Sequence, residues 1–338
     1  MRLARIPHDR ASELVRTLLD RDMVIRSAKI TKAQDCVLVP VNPMGEGHVL
    51  SLGLEVEDGE VHGRKDQSPQ QIIKRLLDLP DELQSILPQR WEFFGDVAII
   101  RLDERLRPYE GRIGAVYAEA LDVEAVCVDR GGISGELRQP EVDLIHGESA
   151  ESVRLENGVL YKMDVRELMF ASGNVDERAR MGSLDCSGET VVDIFAGIGY
   201  FTLPLAKHSD AEMVYACEKN PTSYRYLVEN IELNGVSSRV RPVLGDNRDL
   251  PLAGVADRVV MGYVRGTKEF LWKGFDLLRP GGVIHFHETY PVWEMPQALE
   301  RDLALSCGGR THSIEGLREV KSFAPSVSHY VADIRVYD

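Results

Sequence analysis

The sequence predicts an α/β protein in which a mostly parallel, Rossmann-like sheet follows an α+β module and a small N-terminal domain. Two observations predict this fold. From about residue 166 onward, apolar strand patterns alternate with helical patterns, as in a parallel sheet covered by helices on both faces. A glycine-rich turn, AGIG, separates the first of these strands from its helix. The 338 residues therefore divide into segments 1–85, 88–165 and 166–338.

The first two segments carry patterns of small mixed domains. In segment 1–85, ASELVRTLLDRDMV has helical leucine spacing and CVLVPV is a strand pattern. A second helix is predicted over SPQQIIKRLLDLPDELQSIL, with Ser68 as its cap and Pro69 in its first turn. Segment 88–165 changes to short apolar runs between Gly, Asp and Asn turns, with one helix over GRIGAVYAEALDV. These patterns predict an α/β domain and then an α+β module.

Segment 166–338 supplies the parallel sheet. Its predicted strands are VVDIFA, MVYACE, VRPVLGD, DRVVMGYV and VIHFHE. Helical patterns over GYFTLPLAKH, NPTSYRYLVENIELNG and TKEFLWKGFDLLRPGG lie between them. A last strand, SHYVADIRVYD, is predicted to pair antiparallel at the edge of the sheet.

The composition excludes several classes of protein. With 43% hydrophobic and 28% charged residues, the chain is neither disordered nor of low complexity. No apolar stretch reaches the roughly 18 residues of a membrane span, and the N-terminus lacks the apolar core of a signal peptide, so we expect a cytoplasmic protein without membrane contact. Five cysteines far apart argue against a disulfide framework or a zinc site. The net charge of -14 argues against a nucleic-acid partner unless arginines concentrate on one face.

The glycine-rich turn is the first candidate for a binding site. Gly197 and Gly199 let the backbone approach a ligand closely, and the N-terminus of the following helix favours polar or anionic groups. Thr202 stands where the full dinucleotide fingerprint has glycine or alanine. The turn alone is therefore a weak signal.

Two further strands also end in polar residues. Glu218 lies about 20 residues after the turn, where a carboxylate can accept hydrogen bonds from both hydroxyls of a ribose. Asp246 and Asn247 follow the third strand at the height of an adenine edge. These residues predict a nucleoside ligand, either S-adenosylmethionine (SAM) or a nicotinamide dinucleotide. The alternative is that the acids only cap the helices that follow them.

Longer segments resemble a known family. The spacing of the turn and the strand-end acids resembles that of class I SAM-dependent transferases, and MGYVRGTKEFLWKGFDLLRPGGVIHFHE closely resembles the tRNA wybutosine-synthesising protein 2 family. The resemblance extends to LYKMDVRELMFASGNVDERARM, FFGDVAII and GGISGELRQP, and it covers residues 88–338. Amino-methyltransferases usually carry a proline-containing turn after the fourth strand, where this chain has MGYV.

The resemblance implies an enzyme. Members of the family transfer the 3-amino-3-carboxypropyl group of SAM to 4-demethylwyosine, a tricyclic guanosine derivative beside the anticodon of tRNA(Phe), in wybutosine biosynthesis. The implied co-substrate is SAM without a metal, the implied partner is that tRNA, and no obligate protein partner is implied. Residues 1–85 would contact tRNA, residues 88–165 would bind tRNA or substrate, and residues 166–338 would bind SAM and catalyse the transfer.

The resemblance also implies roles for individual residues. Those implied to bind SAM are Ala171, Ser172, Arg178, Asp193, Phe195, Gly197, Gly199, Glu218, Asp246 and Asn247. Alanine at position 171 departs from the serine frequent in the family, which leaves that contact to the backbone or to Ser172. Glu177 matches a proposed catalytic base of the methyltransferase relatives. Its alternative role is that of a helix-start acid opposite an arginine.

Four other residues are candidates for contact with the acceptor. His285 and His287 would point to one face of a strand, where His285 lines the base pocket and His287 acts in catalysis. A metal site there is disfavoured because no third ligand accompanies the pair. Tyr263 is expected to stack on the base, and Arg138 to contact the tRNA or simply to be solvated.

Three other functions stay open at this stage. The first is a SAM-dependent tRNA guanosine N1-methyltransferase of the same fold, which would release S-adenosylhomocysteine rather than methylthioadenosine. The second is a non-catalytic SAM- or RNA-binding protein, against which the intact acids argue. The third, a nicotinamide oxidoreductase, has the least support.

Overall fold

The computed structural model describes residues 1–25, 28–33, 35–59, 68–134 and 139–338. The chain divides into two compact units, Met1–Asp78 and Leu79–Asp338. No helix among the described residues is long and apolar enough to cross a membrane.

The first unit is built on an antiparallel sheet. Its elements are β1 (Arg2–Pro7), α1 (His8–Asp20), β2 (Thr31–Lys32), β3 (Cys36–Pro40), α2 (Pro43–Ser51), β4 (Val56–Asp58) and α3 (Pro69–Leu76). The strand order is β2-β3-β1-β4. Ile6, Leu18 and Val39 lie in its core, so the amphipathic face of α1 covers the sheet. The sequence patterns do not predict β1, in which Arg2 and Arg5 stand three positions apart and interrupt the alternation typical of a strand.

The second predicted helix of this region is interrupted. The Ser68 hydroxyl accepts a hydrogen bond from the Gln71 amide at 3.3 Å, which confirms the predicted cap. However, α3 ends at Leu76, and a separate short helix, α4 (Asp81–Gln84), follows. Pro80 explains the break, because proline has no N–H and disfavours a helical residue before it.

The second unit begins with a four-stranded sheet and a hairpin. After α4, its elements are β5 (Trp91–Phe94), β6 (Val97–Ile100), α5 (Glu110–Leu121), β7 (Ala125–Ser134), β8 (Gln139–His146), β9 (Glu151–Glu156) and β10 (Val159–Asp164). The sheet order is β5-β6-β7-β8, with β6 and β7 parallel and joined through α5. Asp122 ends α5 in the left-handed conformation, at a φ of 61°.

A larger sheet completes the second unit. Its elements are α6 (Val175–Gly182), β11 (Thr190–Asp193), α7 (Thr202–His208), β12 (Met213–Glu218), α8 (Pro221–Leu233), β13 (Val240–Leu244), β14 (Ala256–Met261), α9 (Leu271–Leu277), β15 (Leu278–Pro291), α10 (Gln297–Ser306), β16 (His312–Ala324) and β17 (Val327–Val336). The seven strands have the order β13-β12-β11-β14-β15-β17-β16. The first five are parallel, which confirms the predicted Rossmann-like class. The order reverses between β11 and β14, where ligands bind in such sheets.

The edge of this sheet differs from the prediction. The final strand, β17, is antiparallel as predicted, but it lies between β15 and β16 and is not the edge. The edge is β16, which the sequence patterns do not predict. Its pairing with β17 has register shifts at three places, and charged residues interrupt its apolar alternation. Both features remove the regular period of two by which strands are recognised.

Candidate active site

A cavity of about 1170 Å³ lies in the second unit. Its wall includes residues that follow the carboxyl ends of β11, β12, β13 and β14. The sequence-predicted site residues on this wall are Ala171, Ser172, Arg178, Phe195, Gly197, Glu218, Asp246, Asn247 and Tyr263. Because these residues come from five separate stretches of chain, the sheet topology is what brings them together.

The glycine-rich turn is held from behind by Asp193. This carboxylate is fully buried and accepts hydrogen bonds from the Thr202 hydroxyl at 2.8 Å and from the Phe195 amide at 3.2 Å. Burial raises its pKa to about 7. Asp193 does not line the cavity, so its place is under the turn rather than against a ligand.

The two glycines of the turn have different surroundings. Gly197 lines the cavity at a φ of 58°, and an added Cβ would lie 2.8 Å from the Tyr200 ring. Gly199 has a φ of 102°, and an added Cβ would lie 2.7 Å from Leu203. Gly199 is not on the cavity wall. Gly197 therefore brings the backbone to the ligand, whereas Gly199 permits close packing of the turn on α7.

Glu218 is the last residue of β12 and faces the cavity. One carboxylate oxygen accepts from the Gly197 amide at 2.7 Å, and the other from the Asn220 amide at 2.7 Å. Burial raises its pKa from the ordinary value. Each oxygen keeps a second lone pair, which can accept a hydroxyl of a bound ribose.

Asp246 and Asn247 follow β13 and have different partners. Asp246 accepts from the Arg248 guanidinium at 2.8 Å and lies 3.2 Å from the Lys219 ammonium. The hydrogen bond from Arg248 lowers the pKa of Asp246. Asn247 donates to the Ile194 carbonyl at 3.0 Å, while its buried Oδ1 accepts from no described residue. That oxygen is an available acceptor beside the cavity.

The segment before α6 forms another part of the wall. Arg178 is buried and pairs with Glu156 through its Nε at 2.6 Å and its Nη2 at 3.1 Å. Its Nη1 donates to the Ala171 carbonyl at 2.9 Å, and its guanidinium lies 4.7 Å from the centre of the Phe170 ring. The Ser172 hydroxyl lies 3.4 Å from Glu92. Arg178 thus fixes the backbone of the segment from inside the protein.

An aromatic stack lies on the cavity wall after β14. The Tyr263 and Phe195 rings are 5.1 Å apart and nearly parallel, with 17° between their planes. Phe270 meets the Phe195 ring edge-on at 5.2 Å. Gly262 stands against Phe201, because an added Cβ would lie 2.6 Å from that ring. The MGYV stretch therefore presents a flat aromatic surface rather than a proline-bounded turn.

Three predicted site residues lie in an internal polar network instead. We define this network as Glu177, Arg180, Arg258, His285, His287, Arg318, His329 and Asp333. Glu177 pairs with Arg180 through both oxygens, and the His287 Nε2 lies 3.8 Å from Glu177. Neither Glu177, His285 nor His287 lines the cavity. The structure therefore does not bring these three together with Glu218.

The histidines of the network are buried and neutral. His285 contacts Asp333 through Nδ1 and Arg258 through Nε2, at 2.8 Å for the latter. Burial lowers the pKa of His285 to about 4, and it lowers the pKa of His287 well below its usual value. His287 lies 3.2 Å from His329 and its ring centre is 5.0 Å from that of Phe201. His287 thus supports a cavity-lining ring from behind.

The sequence patterns miss three residues of the cavity wall, and one predicted site residue cannot be placed. Arg138 lies outside the described residues. Phe93 and the β16 residues Lys321 and Phe323 line the cavity, although the sequence patterns do not select them. The register shifts on either side of Lys321 and at Phe323 leave no regular alternation by which the sequence could have indicated them.

The wall fits a SAM molecule. Glu218 offers a carboxylate acceptor at the end of β12, and the buried Oδ1 of Asn247 is an acceptor at the next strand end. The Tyr200 ring leaves no room for a side chain at Gly197, so a ligand can lie close to the backbone there. In the described part of the chain, no three His, Cys, Asp or Glu side chains are grouped to hold a metal ion.

Comparison with known proteins places the chain in a family. Residues 152–307 match the TRM5/TYW2 methyltransferase domain, and residues 72–150 match the TYW2 N-terminal domain. A Pyrococcus horikoshii protein, tRNA(Phe) (4-demethylwyosine(37)-C(7)) aminocarboxypropyltransferase, is 42% identical over 262 residues, or 77% of this chain and 94% of that protein. The chain belongs to the TYW2 family.

Two further proteins are similar to this chain in structure or in sequence. The crystal structure of Methanocaldococcus jannaschii TYW2 in complex with AdoMet has a TM-score of 0.59 and 38% identity, covering 73% of this chain and 99% of that one. The tRNA (guanine(37)-N(1))-methyltransferase Trm5b of Pyrococcus abyssi is 32% identical over 342 residues, with 98% of both chains covered. Residues 1–71 and 308–338 lie outside both domain matches.

Proposed function

We propose that this TYW2-family protein transfers the 3-amino-3-carboxypropyl group of SAM to C7 of 4-demethylwyosine at position 37 of tRNA(Phe). The reaction is the one named for the 42% identical archaeal relative. The match of residues 72–150 to the TYW2 N-terminal domain carries the choice of this reaction over methyl transfer. The tricyclic base is the proposed acceptor, and the cytoplasm the proposed location.

The cavity residues divide the work of binding the donor. Glu218 accepts hydrogen bonds from the ribose hydroxyls, and the Asn247 Oδ1 accepts one from the adenine amine. Gly197 lets the donor lie against the backbone. The aromatic pair of Phe195 and Tyr263 offers a flat apolar surface beside the donor. These contacts hold one orientation, which a group transfer requires.

The transferred group is decided by that orientation. When bound, SAM supplies a sulfonium whose γ-methylene carbon is attacked by C7 of the base, so that a C–C bond forms, the C–S bond breaks with its electrons on sulfur, and methylthioadenosine leaves. The C7 proton is lost to solvent. The chain's task is to aim the amino-acid arm, not the methyl group, at the base.

The predicted catalytic roles of Glu177 and His287 find no support in their positions. Both belong to the internal polar network, away from the cavity wall. We assign them a positioning role, because His287 backs the Phe201 ring and Phe201 packs against Gly262. The segment 1–85 keeps its proposed role in tRNA contact.

Nucleoside analysis tests the function. Purified protein is incubated with SAM and tRNA(Phe) that carries 4-demethylwyosine, and the digested tRNA is examined by mass spectrometry. A gain of one aminocarboxypropyl group on the tricyclic base, with release of methylthioadenosine, is expected. A gain of one methyl group on guanosine 37 would instead support a methyltransferase, the second candidate, which the 32% identity to Trm5b over the whole chain favours.

A further inference from the structure

Two exposed aromatic rings stand on the wall of the cavity. Phe93 is 42% exposed and Phe323 is 45% exposed, and both line the cavity. They come from different sheets of the second unit, Phe93 from β5 and Phe323 from β16. Exposed apolar rings on the wall of one cavity are typical of a binding surface.

Phe323 lies at one of the register shifts of β16, which falls between Ser322 and Ala324. It lines the cavity together with Lys321 of the same strand. The Lys321 ammonium approaches the segment that Arg178 fixes, because a Cβ added at Gly173 would lie 2.8 Å from its Nζ.

The backbone of Phe93 is fixed by hydrogen bonds to its neighbours. Its carbonyl accepts from Arg154 at 2.9 Å, and it pairs with Ala98 across the β5–β6 ladder. The next residue, Phe94, is buried and packs 5.1 Å from the Phe170 ring. The Phe93 ring is therefore an exposed surface on a fixed support, which is the property of a stacking platform.

We propose that Phe93 and Phe323 are specificity-determining residues that receive the acceptor base by stacking at the mouth of the cavity. This inference rests on the proposed function and names the part of the site that takes the base. A base that reacts inside a cavity must first leave the stack of the tRNA loop. A tricyclic base has a wide apolar face, and aromatic side chains replace the stacking it gives up.

Alanine substitutions measure this contribution. F93A and F323A are each expected to weaken binding of tRNA(Phe) carrying 4-demethylwyosine by about 5- to 150-fold, the range for loss of one base–aromatic stack. SAM affinity should not change. Trp272→Ala is the matched control, because Trp272 is also 45% exposed but lies on α9, off the cavity wall. Circular dichroism checks that each variant is folded.

Two further measurements separate stacking from mere apolar contact. F323Y keeps the ring and should bind tRNA nearly as well as wild type, whereas F323L keeps apolar volume without a π face and should remain weak. With tRNA(Phe) lacking the base at position 37, the penalty of F323A should shrink to about onefold. Equal recovery by leucine, or a full penalty with the abasic tRNA, would overturn the inference.

The binding measurements do not depend on turnover. If wild-type protein shows the stacking pattern but makes no aminocarboxypropyl product, the proposed function fails and the base-stacking assignment stands. If the product forms but F93A and F323A bind tRNA as wild type does, the function stands and this inference fails.

Discussion

The cavity wall and the internal polar network contain the same kinds of residue in opposite surroundings. Glu218 ends its strand and opens onto the cavity, with both oxygens fixed by backbone amides. His285 and His287 lie inside β15, which continues to Pro291. Both ring nitrogens of His285 contact protein groups, and the Nδ1 of His287 contacts His329. The position of a polar residue relative to the end of its strand, more than its chemistry, decides whether it can reach a ligand.

Arg178 gives the largest expected effect because it joins both regions. It lines the cavity, yet its guanidinium is bound to Glu156 and to the Ala171 carbonyl. Arg178→Met should lower the free energy of unfolding by about 3 kcal/mol, since the buried Glu156 would lose both contacts with Arg178 and keep, among the described residues, only Arg154, at 3.2 Å. Urea unfolding measures this loss.

The control for Arg178 is an exposed pair of the same chemistry. Arg105 is bound to Asp103, with its side chain 62% exposed. Arg105→Met should cost less than about 1 kcal/mol. If Arg178→Met lost SAM affinity without losing stability, Arg178 would be a ligand contact rather than an internal support.

The pH dependence of stability is the second effect. Burial lowers the pKa of both His285 and His329 to about 4, with the charge of Lys321 adding to the effect at His329. The unfolded chain binds these protons first, so stability present above pH 6.5 is lost as pH falls toward 4, by about 3 kcal/mol for each histidine. Urea unfolding at pH 7 and pH 4.5 measures the loss.

Two variants sort the contributions to this pH dependence. His329→Gln should lose about 2 kcal/mol less than wild type between pH 7 and pH 4.5. Asp193 opposes the histidines, because its pKa of about 7 means that its penalty for being ionised is relieved as pH falls. Asp193→Asn should therefore steepen the loss. An unchanged slope in both variants would contradict the assignment of neutral buried histidines.

Glu218 on the cavity wall and Glu177 in the internal polar network are expected to differ in their effect on SAM binding. Glu218→Ala should weaken SAM binding by about 1–3 kcal/mol through loss of its hydrogen bonds to the ribose. Glu177→Gln removes a carboxylate of the internal polar network and should leave SAM affinity unchanged. Isothermal titration calorimetry measures both. Equal losses would mean that the network and the wall are not distinct.

The smallest expected effect concerns the aromatic stack. Tyr263→Leu should weaken SAM binding by about 0.5–1.5 kcal/mol, because it removes one ring of the flat surface that Tyr263 and Phe195 form beside the donor. Tyr263→Phe keeps the stack and should bind as wild type does. A loss with Tyr263→Phe as large as with Tyr263→Leu would assign the effect to the hydroxyl instead.

The sequence predicts the parallel part of the sheet and the strand-end residues well. MVYACE is a regular apolar strand, so the end of β12 at Glu218 could be read directly. The end of β15 could not, because VIHFHE is followed by polar residues although pairing with β17 continues to Pro291. His285 and His287 were therefore expected nearer the carboxyl end of their strand than they are.

Other parts of the site lack a local signal altogether. Phe323 and Lys321 belong to a strand whose register shifts and charges hide its period. The pairing of Arg178 with Glu156 joins α6 to β9, a contact between distant residues that no spacing rule predicts. The sequence thus predicts site residues whose positions are set by one strand or turn. It does not predict contacts that depend on packing between separate elements.

A crystal structure of the protein with bound SAM would show the orientation of the donor. We expect the ribose hydroxyls within hydrogen-bond distance of Glu218 and the amino-acid arm directed to the part of the cavity lined by Phe93 and Phe323. A complex in which the methyl group faces that part of the cavity and the arm points inward would contradict this expectation.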